Sequence, residues 1–334
     1  MRVTVFDATL RDGSHAIRHQ FTVAQVREIA AGLDAAGVPS VGVGHGDGLG
    51  GSSLQLGEAL HTDEELLAAA AGVLRRARLA VTLVPGIGTK EHLRRAAALG
   101  ARLVRIATHC TEADIAVQHI ALARELALDV HGDLMMPHRA DAAMLAEQAA
   151  IMAGAGAQGV HLMDSAGALL PDDVRARIAA MRERLGPEVA LGMHAHDNLS
   201  LAVANTLAAI AEGATLADAC LGGLGAGAGN TRTEVLAAVL ERMGIETGLD
   251  VFALQDLADD VVRPIAVPSL DRQTATLGYA GVPSSLLLPA RRAAERFGVE
   301  PRAVLRELGR RGAVTGQEDL ALGVAADLAG ARGA

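Results

Sequence analysis

Two histidines separated by a single residue are the strongest candidate metal ligands in the sequence. His194 and His196 lie in the run Met193–Asn198, MHAHDN, at the end of an apolar segment that is typical of a β-strand. Side chains two residues apart on a strand point to the same face, so both imidazoles can reach one ion. Asp12, after the first apolar run, is the candidate third ligand. An Asp–His–His set with open positions suits Mn²⁺, Co²⁺, Mg²⁺ or Fe²⁺; a hydrogen-bonded pair of core histidines is the alternative.

The residues beside Asp12 could supply electrostatic and acid–base chemistry. Arg11 carries a permanent positive charge and could stabilise a developing oxyanion next to the ion; a salt bridge to Asp7 or Asp47 is the alternative. His15 offers an imidazole, the side chain best suited to general-base catalysis near neutral pH. His19 could take that role instead, but it lies further from the strand end, and we expect it to face solvent.

Three other polar residues follow apolar runs and are candidates for supporting roles. Ser165 follows a strand-like run and could hydrogen-bond a substrate carboxylate. Asn230 ends the glycine-rich run GLGAGAGN, and we expect it, like Asp197, to support the ion or its ligands. A glycine-rich run can also bind phosphate, but alone that signal is weak, and close backbone packing explains the glycines equally well.

The elements that position these residues repeat along the chain. Apolar strand-like runs alternate eight times with segments of helical periodicity. The predicted strands are Val3–Asp7, Ser40–Gly44, Ala80–Pro85, Leu103–Thr108, Leu128–Met135, Gly159–Asp164, Ala190–His194 and Leu216–Gly222. Candidate helix N-caps are Thr22, Thr62, Thr89, Thr111 and Asn198. The polar candidates fall at the carboxyl ends of the strands.

Strand–helix repeats predict parallel strands with crossover helices, and eight repeats predict an α/β fold of the (β/α)₈ TIM-barrel type. An open doubly wound sheet is the competing architecture, although no G-x-G-x-x-G follows the first strand. We expect the barrel to occupy residues 1–248. A helical C-terminal domain over residues 249–334 is expected to extend it and to dock a partner.

Composition excludes several classes of function. The 334 residues carry a formal net charge of −9 without a basic run, and only 1% are aromatic, so nucleic acid is not an expected partner. No apolar run is long enough to span a membrane. Cys110 and Cys220 lie far apart, which favours reduced thiols and a cytoplasmic location. Lys90 is the only lysine, so a Schiff-base mechanism has a single candidate residue.

Taken together, these motifs resemble the 4-hydroxy-2-oxovalerate aldolases of meta-cleavage degradation pathways. These are class II pyruvate aldolases within a group of metal-dependent barrels that also includes isopropylmalate synthases and hydroxymethylglutaryl-CoA lyases. The resemblance runs through nearly the whole chain. It rests on Thr9–Thr22, His45–Ser53, Val84–Thr89, Ala107–Asp114, Met163–Ala168, Gly192–Thr206, Gly223–Asn230, Leu277–Val282 and Gly316–Leu320.

The resemblance implies a cofactor and a reaction. Asp12, His194 and His196 would hold Mn²⁺, with Co²⁺ or Mg²⁺ as alternatives, and the pyruvyl part of a 4-hydroxy-2-oxoacid would chelate the ion. Arg11 would stabilise the pyruvate enolate, and His15 would take the proton from the C4 hydroxyl as the C3–C4 bond breaks. The products would be pyruvate and a short aldehyde. The residues implied to contact substrate are Arg11, Asp12, Ser165 and His194.

The resemblance also implies a partner and shows two departures. The C-terminal helices would dock an acylating acetaldehyde dehydrogenase, to which the aldehyde passes through a channel, and we expect an oligomer. The family usually has a tyrosine where this chain has Pro283, and commonly a histidine where it has Asp197. Tyr279 belongs to a shared motif but is not expected to replace that tyrosine. Substrate orientation and aldehyde size are therefore expected to differ.

Three other functions are compatible with parts of this pattern. The same ligands could serve an acyl-CoA condensing enzyme or lyase, but no cluster of basic residues for CoA phosphates is evident. Two histidines and one carboxylate also occur in non-haem Fe(II) oxygenases. An aldolase-like subunit with impaired activity that stabilises a dehydrogenase is the third alternative, which Pro283 keeps open.

Overall fold

The computed structural model describes residues 1–331 and contains a closed barrel of eight parallel strands that neighbour one another in chain order. The strands are β1 Thr4–Leu10, β2 Ser40–Val43, β3 Arg78–Leu83, β4 Leu103–His109, β5 Asp129–Met135, β6 Gly159–Asp164, β7 Ala190–Ala195 and β8 Leu216–Ala219. The predicted TIM barrel is thus confirmed. Because β8 lies between β1 and β7, the loops after β1 and β7 are close enough to share a site.

Eight helices follow the strands and bury one face each against the barrel. They are α1 Val23–Ala35, α2 Asp63–Ala71, α3 Lys90–Ala98, α4 Val117–Glu125, α5 Ala142–Gly154, α6 Pro171–Leu185, α7 Ala202–Ala211 and α8 Thr233–Arg242. The side chains of Thr22, Thr62 and Thr89 each accept the backbone N–H three residues on, which confirms these three caps.

Two predicted caps are wrong. The helical region after β4 begins with a 3₁₀ turn, Ala113–Ala116, and Thr111 does not cap it. Helix α7 begins three residues later than predicted, and the buried Asn198 side chain bonds instead to the loops after β6 and β8. Asn198 is recruited by tertiary contacts, whereas the Thr111 hydroxyl is used locally, 2.8 Å from Nδ1 of His109.

Strand ends also differ from the predicted ones. Strand β1 continues to Leu10, beyond the polar Asp7 and Thr9, because both side chains find buried hydrogen-bond partners. Strand β8 ends at Ala219, before the predicted Gly222, whose φ of 59° lies in the left-handed region that an extended strand does not use.

The C-terminal part is helical, as predicted, and has an apolar core of its own. Its helices are α9 Val251–Asp256, α10 Arg272–Ala280, α11 Leu287–Phe297, α12 Pro301–Arg310 and α13 Leu320–Gly330. Side chains such as Leu277, Leu305 and Val324 form the separate core. Residues 332–334 of the predicted C-terminal domain lie outside the described residues.

The C-terminal helices are attached above the carboxyl ends of the strands. After β5, Arg139 donates through Nη2 to the carbonyl oxygens of Gly281 and Gly309, at 3.1 and 3.2 Å. His138 Nε2 lies 3.1 Å from the same Gly281 oxygen. These contacts bring the segment around Pro283 to the mouth of the barrel. Within residues 1–331, no helix has the length and apolarity needed to cross a membrane.

Candidate active site

A cavity of about 430 Å³ opens at the carboxyl ends of the strands, where catalytic sites of TIM barrels lie. Its walls include most of the predicted site residues. These are Arg11, Asp12, His15, Ser165, His196 and Pro283. His194 does not line the cavity; it is buried behind Asp12, with which it is in contact.

The structure brings the three predicted ligands together. The ligand atoms of Asp12, His194 and His196 all lie within 4.8 Å of one another, and all three residues are buried. Asp12 Oδ2 is 3.6 Å from His194 Nε2 and 4.0 Å from His196 Nε2. The other carboxylate oxygen, Oδ1, accepts the backbone N–H of Ala226 at 3.1 Å, which fixes the carboxylate between β1 and the loop after β8.

Hydrogen bonds at the far nitrogen orient each imidazole. His194 Nδ1 lies 3.1 Å from Asp218 Oδ2, and a carboxylate can only accept there. His196 Nδ1 donates to the carbonyl oxygen of Ala226 at 3.3 Å. Both rings therefore carry hydrogen on Nδ1 and turn Nε2 toward Asp12. This arrangement is usual for histidine metal ligands.

The charges around the set favour a cation. Burial raises the pKa of Asp12, but the Arg11 guanidinium and the two histidines lower it more, and that pKa lies well below its ordinary value. Burial lowers the pKa of His196 to about 4, so this ring is neutral at neutral pH. Burial also lowers the pKa of His194, but the carboxylates of Asp12 and Asp218 outweigh it and raise the pKa. Positive charge is thus stabilised between these carboxylates, which suits a divalent ion.

Asn230 and Gly225 complete the fit to a cation. Asn230 Nδ2 is 3.0 Å from His194 Nε2, while its Oδ1 is buried without a hydrogen-bond partner among the described residues. A Cβ at position 225 would lie 3.0 Å from Asp12 Oδ1 and would collide with Asn230 Oδ1, so the close approach needs glycine. Oxygen and nitrogen donors of this kind match Mn²⁺ and similar ions. Asn230 thus lies where it was predicted, beside the ligands.

Asp197 is not brought to the ligand set. Its half-buried carboxylate accepts the backbone N–H of Ala202 at 3.0 Å, at the start of α7. Burial raises the pKa of this carboxyl. The supporting role predicted for Asp197 is therefore replaced by a helix-capping contact, which satisfies a backbone donor at the helix N-terminus.

Arg11 and His15 both face the cavity. Arg11 Nη1 donates to Asp12 Oδ2 at 2.7 Å, so the salt bridge is to its own neighbour, and Arg11 Nε is buried without a partner among the described residues. The half-buried His15 ring packs edge-on against His19, with ring centres 5.0 Å apart. His15 thus combines access to the cavity with a defined position.

The prediction that His19 faces solvent is wrong. His19 is 6% exposed, and its ring stacks on His45 at 3.6 Å between centres. Burial, together with the nearby His15 and His45, lowers its pKa to about 3. Ligand atoms of His15, His19 and Asp47 also lie within 4.8 Å of one another. However, His19 Nδ1 already contacts the Ser14 hydroxyl at 3.2 Å, which favours a hydrogen-bonded cluster.

Two buried polar side chains shape the loops of the site. The Asp164 carboxylate accepts the backbone N–H groups of Ala168 and Leu169, at 3.0 and 3.1 Å, and this turn sets Ser165 in the cavity wall. Burial raises the pKa of Asp164 to about 6. Asn198 donates to the Ala166 carbonyl oxygen and accepts from Ala228 N–H, both at 2.9 Å, and so ties together the loops after β6 and β8.

Sequence reasoning missed a group of buried ionisable residues inside the barrel. They are Arg105 on β4, Asp133 on β5, His161 on β6 and Asp218 on β8, each 1% exposed or less. A signal existed, because each is an ionisable side chain within a predicted strand. Asp218 matters for the site because it contacts His194.

Two residues discussed from the sequence lie outside the cavity. Lys90 is exposed in the first turn of α3 and does not line it, which disfavours a Schiff base. Tyr279 is 76% exposed and does not line it either, as expected, so no tyrosine faces the substrate region among the described residues.

The sequence of the chain matches known protein families and curated relatives. The HMGL-like family matches residues 2–261, and the DmpG-like communication domain matches residues 268–330. The chain is 54% identical over 334 residues to 4-hydroxy-2-oxovalerate aldolase 4 of Paraburkholderia xenovorans, covering 99% of this chain and 96% of that protein. It is 56% identical over 326 residues to the 4-hydroxy-2-oxovalerate aldolase of Thermomicrobium roseum, covering 97% and 91%.

Among solved structures, the carboxyl transferase domain of Rhizobium etli pyruvate carboxylase with pyruvate superposes with a TM-score of 0.82 at 20% identity. The match covers 98% of this chain but only 61% of that one, and it supports the barrel fold alone. The sequence matches are far closer and extend over both parts of the chain. The chain therefore belongs to the HMGL-like family and, within it, to the 4-hydroxy-2-oxovalerate aldolases.

Proposed function

We propose that this protein is a carbon–carbon lyase that cleaves 4-hydroxy-2-oxovalerate, or a homologous 4-hydroxy-2-oxoacid, to pyruvate and a short aldehyde. The observation that carries the proposal is that the candidate metal ligands and the candidate catalytic residues lie at the same cavity. The candidate metal ligands Asp12, His194 and His196 lie within 4.8 Å of one another, and Arg11 and His15 line the cavity beside them. Family membership supports the same reaction.

The cofactor is a divalent metal ion, and we propose Mn²⁺, with Co²⁺ and Mg²⁺ as alternatives. Asp12, His194 and His196 would hold it. When bound, the ion would draw electron density from the 2-oxo acid end of the substrate. Mixed nitrogen and oxygen donors without a thiolate favour these ions over a structural Zn²⁺ site. Asn230 lies against His194 and is proposed to support the ligand set from the side.

The protein's own residues perform the proton and charge steps. His15 takes the proton of the C4 hydroxyl, the aldehyde carbonyl forms, and the electron pair of the C3–C4 bond moves into the pyruvyl fragment. Arg11 faces the negative charge that develops on the pyruvyl oxygen. A proton from solvent water, added at C3, then completes pyruvate, and His15 returns the proton it took to solvent. Ser165 lines the cavity and would hydrogen-bond the substrate carboxylate.

Two rival mechanisms lack support from the cavity. An acyl-CoA enzyme needs basic groups for the CoA phosphates, but Arg11 is the only arginine or lysine that lines the cavity among residues 1–331. A Schiff-base aldolase needs a buried lysine, whereas Lys90 is exposed. We expect an active enzyme and not a silent subunit, because the ligands, Arg11 and His15 are all assembled.

We also propose a barrel domain over residues 1–248 and a C-terminal domain from residue 249 that docks an acylating acetaldehyde dehydrogenase. The match to the DmpG-like communication domain supports this role. Exposed apolar side chains also support it. They include Val267, Leu270 and Tyr279, which are 64%, 54% and 76% exposed. Burial of such side chains is a common source of docking energy. We propose, in addition, that the protein is an oligomer and that it is located in the cytoplasm. The location is inferred from two buried free cysteines, Cys110 and Cys220.

Docking can be tested by co-expressing the chain with an acylating acetaldehyde dehydrogenase. The two should elute together, and replacing Leu270 and Tyr279 with serine should weaken the complex without changing cleavage of the 4-hydroxy-2-oxoacid. Separate elution at micromolar concentrations would argue against the docking proposal.

The proposed reaction is tested by pyruvate release. The purified protein should release pyruvate from 4-hydroxy-2-oxovalerate and from homologues with longer chains in the presence of Mn²⁺. Absence of turnover with every member of such a series would contradict the proposal.

A further inference from the structure

The interior of the barrel contains a buried ion-pair network that reaches the proposed metal site from below. Arg105 is 1% exposed and lies between two aspartates. It donates through Nε and Nη2 to Asp133 Oδ1, at 2.8 and 2.6 Å. It also donates through Nη1 and Nη2 to the two oxygens of Asp218, at 3.1 and 2.9 Å. The guanidinium thus binds Asp218 through two parallel hydrogen bonds, and this bidentate geometry fixes the orientation of the carboxylate.

The Asp218 carboxylate is the group that orients His194. Asp218 Oδ2 accepts from His194 Nδ1 at 3.1 Å, and His161 Nδ1 lies 3.3 Å from Oδ1. Both carboxylate oxygens are therefore engaged, and neither can turn away from its partner. His196 differs, because its Nδ1 contacts a backbone carbonyl oxygen.

We propose that Asp218, held by Arg105, is a positioning residue that fixes the tautomer and the direction of His194 for metal binding. A carboxylate on Nδ1 leaves the lone pair on Nε2, the atom that faces Asp12, and makes it more basic. The inference rests on the proposed function, because it needs an ion at Asp12, His194 and His196.

The location of the network supports a role beyond folding. The interior of a TIM barrel is normally filled by branched apolar side chains, which pack there without charge. Burying three charged groups costs free energy that their pairing does not reliably exceed, and apolar replacements are often as stable. Only one member, Asp218, touches a proposed metal ligand. The other members of the network, Arg105 and Asp133, explain how the Asp218 carboxylate is kept charged and fixed in position.

The chain offers a matched control. Asp133 has the same side chain, is equally buried and binds the same guanidinium, but it does not contact His194. Asp218→Asn and Asp133→Asn therefore remove one charge from the same network. In Asp218→Asn, one of the two engaged oxygens becomes an NH₂ group. In either position this group opposes an N–H of Arg105, and in the Oδ2 position it also opposes the Nδ1–H of His194.

The test is the Mn²⁺ affinity of the metal-free protein, measured from the free Mn²⁺ signal in electron paramagnetic resonance. Asp218→Asn should bind Mn²⁺ about 10- to 100-fold more weakly than wild type, and Asp133→Asn should bind nearly as wild type. Unchanged affinity in Asp218→Asn would overturn the inference. An equal loss in both variants would also overturn it, because a purely structural network predicts that result.

Unfolding curves of the metal-free variants separate folding from binding. If Asp218→Asn does not fold, the pair Asp218→Ser and Asp133→Ser gives the same comparison with smaller side chains. Wild-type protein that fails to bind Mn²⁺ would contradict the proposed metal site itself. A wild type that binds Mn²⁺ beside an Asp218 variant that binds equally well would contradict only the role of Asp218.

Discussion

The ionisable side chains of the first loop lie in different surroundings. Among residues 1–331, Asp12 is the one carboxylate found within 4.8 Å of the ligand nitrogens of both His194 and His196, and Arg11 keeps it charged through a 2.7 Å contact. His15 lies further along the loop at the cavity surface, whereas His19 is buried against His45. Burial and neighbouring histidines lower the pKa of His19 to about 3, which makes it a weak base, and His15 is the histidine of this loop that lines the cavity.

Replacing the proposed base should affect turnover and leave binding intact. His15→Asn should lower kcat by roughly 10²- to 10⁴-fold, the usual contribution of general acid–base catalysis. Mn²⁺ affinity and KM should change little, because His15 is not among the ligands. His109→Asn is the control, since His109 lines the same cavity without an assigned role. A His15→Asn variant with wild-type kcat would exclude this residue as the base.

Pro283 is expected to set the size of the aldehyde pocket. It is buried in the cavity wall with φ near −64°, a value that other residues can adopt. Pro283→Tyr should fill part of the cavity and shift kcat/KM toward the smallest aldehyde unit by roughly tenfold. Pro283→Ala, which adds no bulk, should leave the preference for longer chains in place. Equal effects of both substitutions on a series of 4-hydroxy-2-oxoacids would contradict this role.

At the scale of elements, alternating apolar runs were sufficient to predict the eight strands, and Thr22, Thr62 and Thr89 start helices as predicted. Local patterns failed where a side chain is used by a distant element. Asn198 resembles a cap but ties two loops together. The buried Arg105 and its partners could not be assigned, because their pairing depends on which strands of the closed barrel face each other.

The sequence was similarly informative about the site. Residue type and position were sufficient to propose Asp12, His194, His196, Arg11 and His15 as site residues, and the barrel topology brings them to one end of the barrel. Asp218 was not identified, since a single aspartate in a strand reveals its partner only after the strand is placed.

Close packing of two C-terminal helices gives a stability prediction. Gly309 in α12 lies against the carbonyl oxygen of Ala280, and an added Cβ would collide with it. Gly309→Ala should lower the free energy of unfolding by about 1–3 kcal/mol. Gly323→Ala in α13 meets nothing within 4 Å, and we expect it to stabilise its helix by about 0.5–1 kcal/mol. Denaturant unfolding measures both; effects of the same sign would contradict this packing.

At the scale of the whole molecule, the site is a product of the closed barrel and of what lies above it. The proposed ligands lie on β7 and in the loops after β1 and β7, β8 contains Asp218, and the C-terminal segment contributes Pro283 to the cavity. Contacts from Arg139 to Gly281 and Gly309 hold that segment in place. Substrate specificity and partner docking are therefore expected to depend on the same C-terminal helices.

The most direct test is restoration of pyruvate release from 4-hydroxy-2-oxovalerate by Mn²⁺ after chelator treatment, in wild type and in Asp12→Asn. The metal-free wild type should be inactive and should recover with Mn²⁺, whereas Asp12→Asn should remain inactive at the same Mn²⁺ concentration although folded. Full turnover by the metal-free wild type, or equal recovery of Asp12→Asn, would contradict a metal-dependent aldolase built on Asp12, His194 and His196.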